Sequence, residues 1–230
     1  MANSAQLRNE IAAGKWDDKL RALYGDAAQE ICRQRARYCA ALEQFELYFG
    51  PGRQVQVYSA PGRAELGGNH TDHQHGEVLA ASINLDAIAI TAPVDEPVVR
   101  VVSDGYDMIT VSLDDLAVKD ELKGTTDSLI RGVLEGIQKH GGKIGGFRAY
   151  ITSDVLIGAG LSSSAAFETI IGTIISGIYN DMKLSPVDIA IIGQYAENVH
   201  FGKPSGLMDQ MASSVGSLVH IDFADVAHPV

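Results

Sequence analysis

The stretch Val155-Leu156-Ile157-Gly158-Ala159-Gly160-Leu161-Ser162-Ser163-Ser164-Ala165-Ala166 constrains this chain more than any other. A β-like run ends at two glycines, three serines follow, and an apolar helical pattern begins. Glycine lets the main chain turn and approach a ligand without a Cβ penalty. The serines stand where a helix takes its N-cap, and the first N–H groups of a helix point outward without intrahelical partners. Together with the helix dipole, those groups make a site suited to an anion, best of all a phosphate. In isolation the same residues would also describe a plain Gly-Ser turn capping a core helix, so two further segments decide between the readings.

The first is Pro61-Gly62-Arg63-Ala64-Glu65-Leu66-Gly67-Gly68-Asn69-His70-Thr71-Asp72-His73-Gln74-His75-Gly76, which packs nine polar or charged side chains between apolar runs. A solvated loop could carry this composition. Arg63, Asn69, His70 and Asp72 nevertheless offer the mixture of donors and acceptors that recognises several hydroxyls on a small polar ligand. His70, Asp72, His73 and His75 are also potential metal ligands, but the H-x-D-H-x-H order matches no standard zinc spacing. The second segment, Glu197 to Gln210, sets two carboxylates, Glu197 and Asp209, around a Gly-Pro-Gly bend. Asp209 lies among Leu207, Met208 and Met211, where a carboxylate needs a partner.

Other chemistries are excluded or weakened. A formal net charge of −11 argues against nucleic acid and anionic membrane surfaces as partners. Apolar runs fall short of the roughly 18 residues of a membrane span, and Met1–Gln6 lacks the apolar core of a signal peptide. Cys32 and Cys39 fall on one predicted helix, roughly 10 Å apart along its axis, too far for a disulfide, so both are expected as reduced, buried packing residues of a cytoplasmic protein. The P-loop pattern G-x-x-x-x-G-K-[ST], the protein-kinase H-R-D and D-F-G, and the hydrolase elbow G-x-S-x-G are all missing.

Periodicity predicts one or two helices over 16–49, broken near Tyr24-Gly25-Asp26, with Leu20, Leu23, Ile31, Tyr38, Leu42 and Phe45 as their apolar face. A strand over 54–60 is expected to turn at Pro61-Gly62, and 77–94 reads as a buried strand pair. A hairpin over 98–103 and 108–113, helices over 127–140, 164–179 and 186–200, and strands over 146–152 and 217–223 complete the pattern. Ser185, Pro186 and Asp188 mark the start of the last helix. The chain is predicted as α+β, with helices packed on one side of one mixed sheet: residues 1–50 as a helical segment packed on the lobe, 51–230 as the main domain. The end at His228-Pro229 suits either a natural tail or the boundary of a first lobe.

Read together, the three segments resemble the GHMP family of small-molecule kinases and, within it, the galactokinases. Their first motif, P-G-R-x-N-L-I-G-E-H-T-D-Y-N-x-G-x-V-L, is similar to Pro61-Gly62-Arg63, Gly68, His70-Thr71-Asp72, Gly76 and Val78-Leu79. P-x-G-x-G-L-S-S-S-A is similar to Gly158 to Ala165, and G-I-M-D-Q to Gly206-Leu207-Met208-Asp209-Gln210. The resemblance covers roughly residues 50–225. It implies a GHMP kinase N-terminal domain that transfers phosphate from ATP to the anomeric 1-hydroxyl of a hexose, galactose above all. Gly158, Ala159, Gly160, Leu161, Ser162, Ser163 and Ser164 would hold ATP, Ser164 and Glu197 would hold Mg²⁺, and Asp209 with Arg63 would be catalytic. Asn69, His70, Asp72 and Gly206 would bind the sugar. It further implies a C-terminal lobe as partner, without which this lobe is expected to be inactive.

There are departures. Asn69 stands where galactokinases usually have Glu, Glu65 where they have Asn, Gly67 replaces Ile, His73-Gln74 replaces Tyr-Asn, and Leu156 replaces the proline of the second motif. Another hexose such as N-acetylgalactosamine is therefore an open substrate. A galactokinase-like sensor without catalysis and a metal-dependent hydrolase are the competing classes, the intact Ser162–Ser164 favouring the kinase over the sensor.

Overall fold

In the computed structural model, described here over residues 1–225, seven strands form a single mixed sheet. The strands are β1 (Ala2–Asn3), β2 (Gln54–Gly67), β3 (Glu77–Val94), β4 (Val98–Ser103), β5 (Ile109–Ser112), β6 (Gly146–Ser153) and β7 (Leu218–Asp222). Their order is β1-β2-β3-β6-β4-β5, with β7 also paired to β3. Only β4 and β6 run parallel; every other pair is antiparallel. The seven α-helices are α1 (Ser4–Ala12), α2 (Asp17–Tyr24), α3 (Ala28–Phe49), α4 (Thr126–Lys139), α5 (Ser163–Tyr179), α6 (Pro186–Tyr195) and α7 (Met208–Val215). The His228-Pro229 tail lies outside the described residues.

The apolar run over 77–94 is one strand of 18 residues rather than a pair. β2 pairs along one edge of it. On its other edge the first half meets β7 and the second half meets β6, so both halves are paired along both edges. Both faces are covered over 86–92, where the strand is continuously buried, whereas the first half leaves Glu77, Leu79 and Asn84 exposed.

Helices cover both faces of the sheet, not one. Side chains alternate across a strand with a period of two. Ile88, Ile90 and Ala92 of β3 join Leu20, Ile31, Tyr38, Leu42 and Phe45 of α2 and α3 in one core. Ala87 and Ala89 face the opposite core, with Ile130 and Val133 of α4 and Ile170, Ile171 and Ile174 of α5. Of the apolar face expected over 16–49, only Leu23 is exposed. A buried clamp fixes α2 and α3 to the sheet: the Arg37 guanidinium donates to Asp86 Oδ1 (2.6 Å) and to the Asp86 carbonyl (2.7 Å), while Tyr24 donates to Asp86 Oδ2 (2.6 Å). Cys39 is partly buried and Cys32 is exposed, so the packing role expected for both does not hold for Cys32.

β2 runs straight through Pro61-Gly62, where a turn is predicted. Proline has no N–H to give a ladder, so within a strand it sits at bulges or edges. Here the register with β3 slips between Pro61 and Arg63, which is a bulge, and the Pro61 carbonyl accepts instead from Ser213 Oγ (2.7 Å). A third, smaller core of Val78, Ala80, Leu207, Met208, Met211, Ala212 and Phe223 seats α7 against this end of the sheet.

Candidate functional site

The β2 bulge falls at Gly62, between the paired residues Pro61 and Arg63. A Cβ on Gly62 would lie 2.8 Å from the Leu161 carbonyl, so only glycine lets the Gly-Ser loop settle on β2. The contact is made by Arg63 N–H, which donates to the Leu161 carbonyl at 3.1 Å. The Arg63 guanidinium then spans the site: Nη1 donates to the Gly160 carbonyl and Nε to Asp209 Oδ1 at 2.7 Å.

The loop itself is strongly turned. Gly158 and Gly160 have φ of +77° and +72°, and Leu156 and Ile157 ahead of them are exposed. Ser162, the N-cap of α5, has φ +59°, an uncommon left-handed value for a side chain. It does not cap the helix as expected. Its hydroxyl donates instead to Asp209 Oδ2 at 2.6 Å, and no side chain caps α5. The leading N–H groups of α5 therefore keep the anion-binding character that the sequence predicts for them.

The predicted helix over 186–200 is α6 as far as Tyr195, with Ser185 as its expected N-cap in a capping box with Asp188, then a π-turn over Ala196–Phe201. Widened turns of this kind redirect side chains and recur at functional sites. Gly132 of α4 accommodates the turn: a Cβ there would lie 2.6 Å from Ala196. His200, fully buried, anchors it through Nε2 to Glu135 Oε2 at 2.7 Å. Glu197 is thereby turned inward and buried. Its Oε1 accepts from Ser164 Oγ (3.0 Å) and Lys203 Nζ (2.8 Å), and its Oε2 from Gln210 Nε2 (2.9 Å). The Glu197 hydrogen bond holds the Lys203 ammonium above its ordinary pKa. An all-oxygen pair that already attracts an ammonium suits a hard cation such as Mg²⁺, which is bound through one or two carboxylates plus substrate phosphates.

In the polar loop, Asn69 and His70 both take left-handed φ (+52° and +53°). Glu65, the residue in place of Asn, closes this turn: its Oε1 accepts from His70 N–H (2.8 Å) and its Oε2 contacts His70 Nδ1. Asn69 is exposed. Asp72 is buried against the 206–208 segment, where its Oδ2 accepts from Met208 N–H at 3.3 Å. A Cβ on Gly206 would fall 1.7 Å from that same oxygen, so Gly206 is required by the approach of Asp72. His75 turns elsewhere, its Nδ1 lying 3.1 Å from the Ala224 carbonyl. His70, Asp72 and His75 thus point to three different partners, and the described residues hold no group of three or more His, Cys, Asp or Glu that could hold a metal.

The structure thus brings Arg63, Gly160, Ser162 and Asp209 into one contacting set and Ser164 and Glu197 into a second at the same helix end. Three residues linked to Glu197, directly or through Gln210, are absent from the sequence-based candidates: Lys203, Gln210 and Glu168. Gln210 Nε2 reaches Glu168 Oε2 (3.1 Å) as well as Glu197. Glu168 did carry a signal, as the one charged residue in the otherwise apolar run 164–179.

Residues 128–217 match the family described as GHMP kinases N terminal domain, and residues 43–93 match the galactokinase galactose-binding signature. A galactokinase from Lactococcus lactis, solved with galactose, is similar at 26% identity and a TM-score of 0.74 over 82% of this chain and 49% of that one. A mevalonate kinase from Methanococcus jannaschii (19% identity, TM-score 0.63, 75% of this chain, 55% of that one) shares the fold. So does a D-glycero-D-manno-heptose 1-phosphate kinase from Bacteriodes thetaiotaomicron (22%, 0.61, 77% and 58%). The chain spans about half the length of these solved structures. Its fold is that of the GHMP kinase N-terminal domain, and residues 128–217 carry the match to that family. Within that family the signature over 43–93 and the likeness to the Lactococcus enzyme mark it as a galactokinase-type N-terminal lobe.

Proposed function

We propose that this chain is the N-terminal lobe of a cytoplasmic, ATP-dependent sugar 1-kinase that acts on galactose and is completed by a C-terminal lobe. The observation that carries the reading is the position of Asp209, held between Arg63 Nε and Ser162 Oγ at the uncapped start of α5. A carboxylate there lies beside the place where a terminal phosphate would meet the helix N–H groups. Phosphoryl transfer needs alignment and neutralisation of charge more than covalent chemistry.

In this reading the N–H groups from Gly158 to Ser164 cradle the ATP phosphates and absorb negative charge. Ser164 and Glu197 would hold Mg²⁺, which would supply neutralisation of the phosphate charge. Lys203 Nζ donates to Glu197 Oε1 in the structure, and a bound phosphate oxygen would compete for that ammonium. Asp209 orients the anomeric hydroxyl and accepts its proton late in the transfer, and Arg63 keeps that carboxylate in place. Asn69, His70, Asp72 and the backbone at Gly206 hold the remaining hydroxyls. Asn69 keeps an acceptor and adds donors where the family's Glu carries charge, so it is the residue through which sugar preference shifts.

The test is sugar-dependent ADP release with Mg²⁺ by the protein containing this chain, over galactose, N-acetylgalactosamine, glucose and arabinose. Release with galactose is expected. Release with another sugar keeps the mechanism and moves the specificity. Sugar and ATP binding without any release makes the protein a sensor.

A further inference from the structure

Glu168 is 1% exposed and lies directly behind the Ser164–Glu197 pair on α5. Gln210 Nε2 spends its two N–H groups on two carboxyl groups, Glu168 Oε2 at 3.1 Å and Glu197 Oε2 at 2.9 Å. The remaining oxygens of the first pair, Glu168 Oε1 and Gln210 Oε1, are both buried without a hydrogen-bond partner. Two acceptors left without a donor inside a protein are costly. A proton on the Glu168 carboxyl would supply the missing donor: the acid would donate from Oε1 to the amide oxygen while Oε2 accepts from the amide N–H, closing a pair of two planar groups.

We propose that Glu168 is a positioning residue, which as a neutral acid paired with the Gln210 carboxamide fixes Gln210 so that its second N–H holds Glu197 in place for a cation. The inference rests on the reading of Glu197 and Ser164 as the cation-holding pair. The charges around Glu168 agree with it. Burial pushes its carboxyl well above the ordinary range, and Glu197 and Asp209 push in the same direction, against the Gln210 hydrogen bond and the Lys203 ammonium. The pairing also fixes the amide orientation, since the nitrogen must face both carboxyl groups. Gln210 is then a rigid bar between α5 and the π-turn, and losing either end frees Glu197 to drift. Outer partners that orient a metal-binding carboxylate commonly matter to affinity by 10–100-fold.

The experiment compares the protein containing this chain with its Glu168→Gln and Glu168→Leu variants by infrared difference spectroscopy and by Mn²⁺ binding in the presence of ATP, read by electron paramagnetic resonance. A protonated-carboxyl C=O band at pH 7.5 that disappears in Glu168→Gln is expected. Glutamine reproduces the closed pair, so Mn²⁺ affinity should stay within about twofold, whereas Glu168→Leu should weaken it by roughly tenfold or more at a temperature where it remains folded. A missing infrared band overturns the neutral acid. Wild-type affinity in Glu168→Leu overturns the positioning role, as does an equal loss in Glu168→Gln, which assigns the effect to charge. A wild-type protein that takes up no Mn²⁺ with ATP sinks the nucleotide reading instead, and the infrared band still decides the Glu168–Gln210 pair.

Discussion

Arg63 and Asp209, 146 positions apart, meet with Nε 2.7 Å from Oδ1, and the same guanidinium donates to the Gly160 carbonyl. The phosphate-type loop, the β2 bulge and α7 are therefore locked to one another through a single side chain. Asp209 has little freedom, since Ser162 holds its second oxygen. A carboxylate constrained on both oxygens suits orientation of a hydroxyl and late proton acceptance.

Asp209→Asn in the complete protein tests that role. The amide is isosteric with the carboxylate but can neither pair with Arg63 nor take a proton. Turnover is expected to fall by at least about 100-fold, the lower end of what a positioned proton acceptor contributes. ATP affinity by titration calorimetry should stay unchanged. A near-normal rate removes Asp209 from the mechanism.

Gly206→Ala probes the sugar side. Its Cβ would overlap Asp72 Oδ2 at 1.7 Å, and Asp72 has little room to yield because it is buried. The substitution is expected to lower the melting temperature and raise KM for sugar. Asp72→Ala added to it should restore stability, with a coupling of about 0.5–3 kcal/mol in the double-mutant cycle, as for residues in contact. Additive losses would mean that the two do not touch in solution.

Much of the site could be read in the chain because its parts are local. Gly158 to Ser164 announce a turn into a helix, and Asp209 on an apolar background demands the partner that Arg63 supplies. What could not be read depends on long-range pairing. Pro61-Gly62 is ordinarily a turn signal, and only the register of β2 against β3 makes it a bulge. The run 77–94 is largely apolar and is flanked by three strands, and no local period distinguishes that from two short strands. Ser162 has the composition of a cap, yet Asp209, supplied from 47 positions away, takes its hydroxyl. The helices over 16–49 show an apolar face, but that it covers the second face of the sheet follows only from β3 alternating Ile and Ala across it.

Arg37→Met addresses the clamp between α3 and the sheet. Arg37 and Asp86 side chains are 9% and 5% exposed, and the pair carries much of the polar contact between α3 and β3. Removing one member of such a pair leaves the other charge buried and typically costs about 3–5 kcal/mol. Chemical denaturation should show that loss, while ATP affinity at low temperature stays unchanged, because the clamp lies on the opposite face from α5. A loss below about 1 kcal/mol, the level of an exposed pair, would show that the clamp is solvated.

Glu168→Gln separates stability from pH. The native Glu168 carboxyl holds its proton more tightly than the unfolded chain does, whose ordinary value is 4.5, with burial the main cause and Glu197 the next. Between that value and the raised native one, the folded protein binds more protons than the unfolded. Stability from this group is then fully present below about pH 4.5 and is lost as pH rises through the native value. The slope for one proton is at most about 1.4 kcal/mol per pH unit. Glutamine has no proton to lose and keeps the pairing with Gln210. The wild-type melting temperature should therefore fall relative to Glu168→Gln as pH is raised from 5 to 8 in a series run on both proteins. Parallel curves would show that Glu168 keeps one protonation state across that range in the folded and unfolded chain alike.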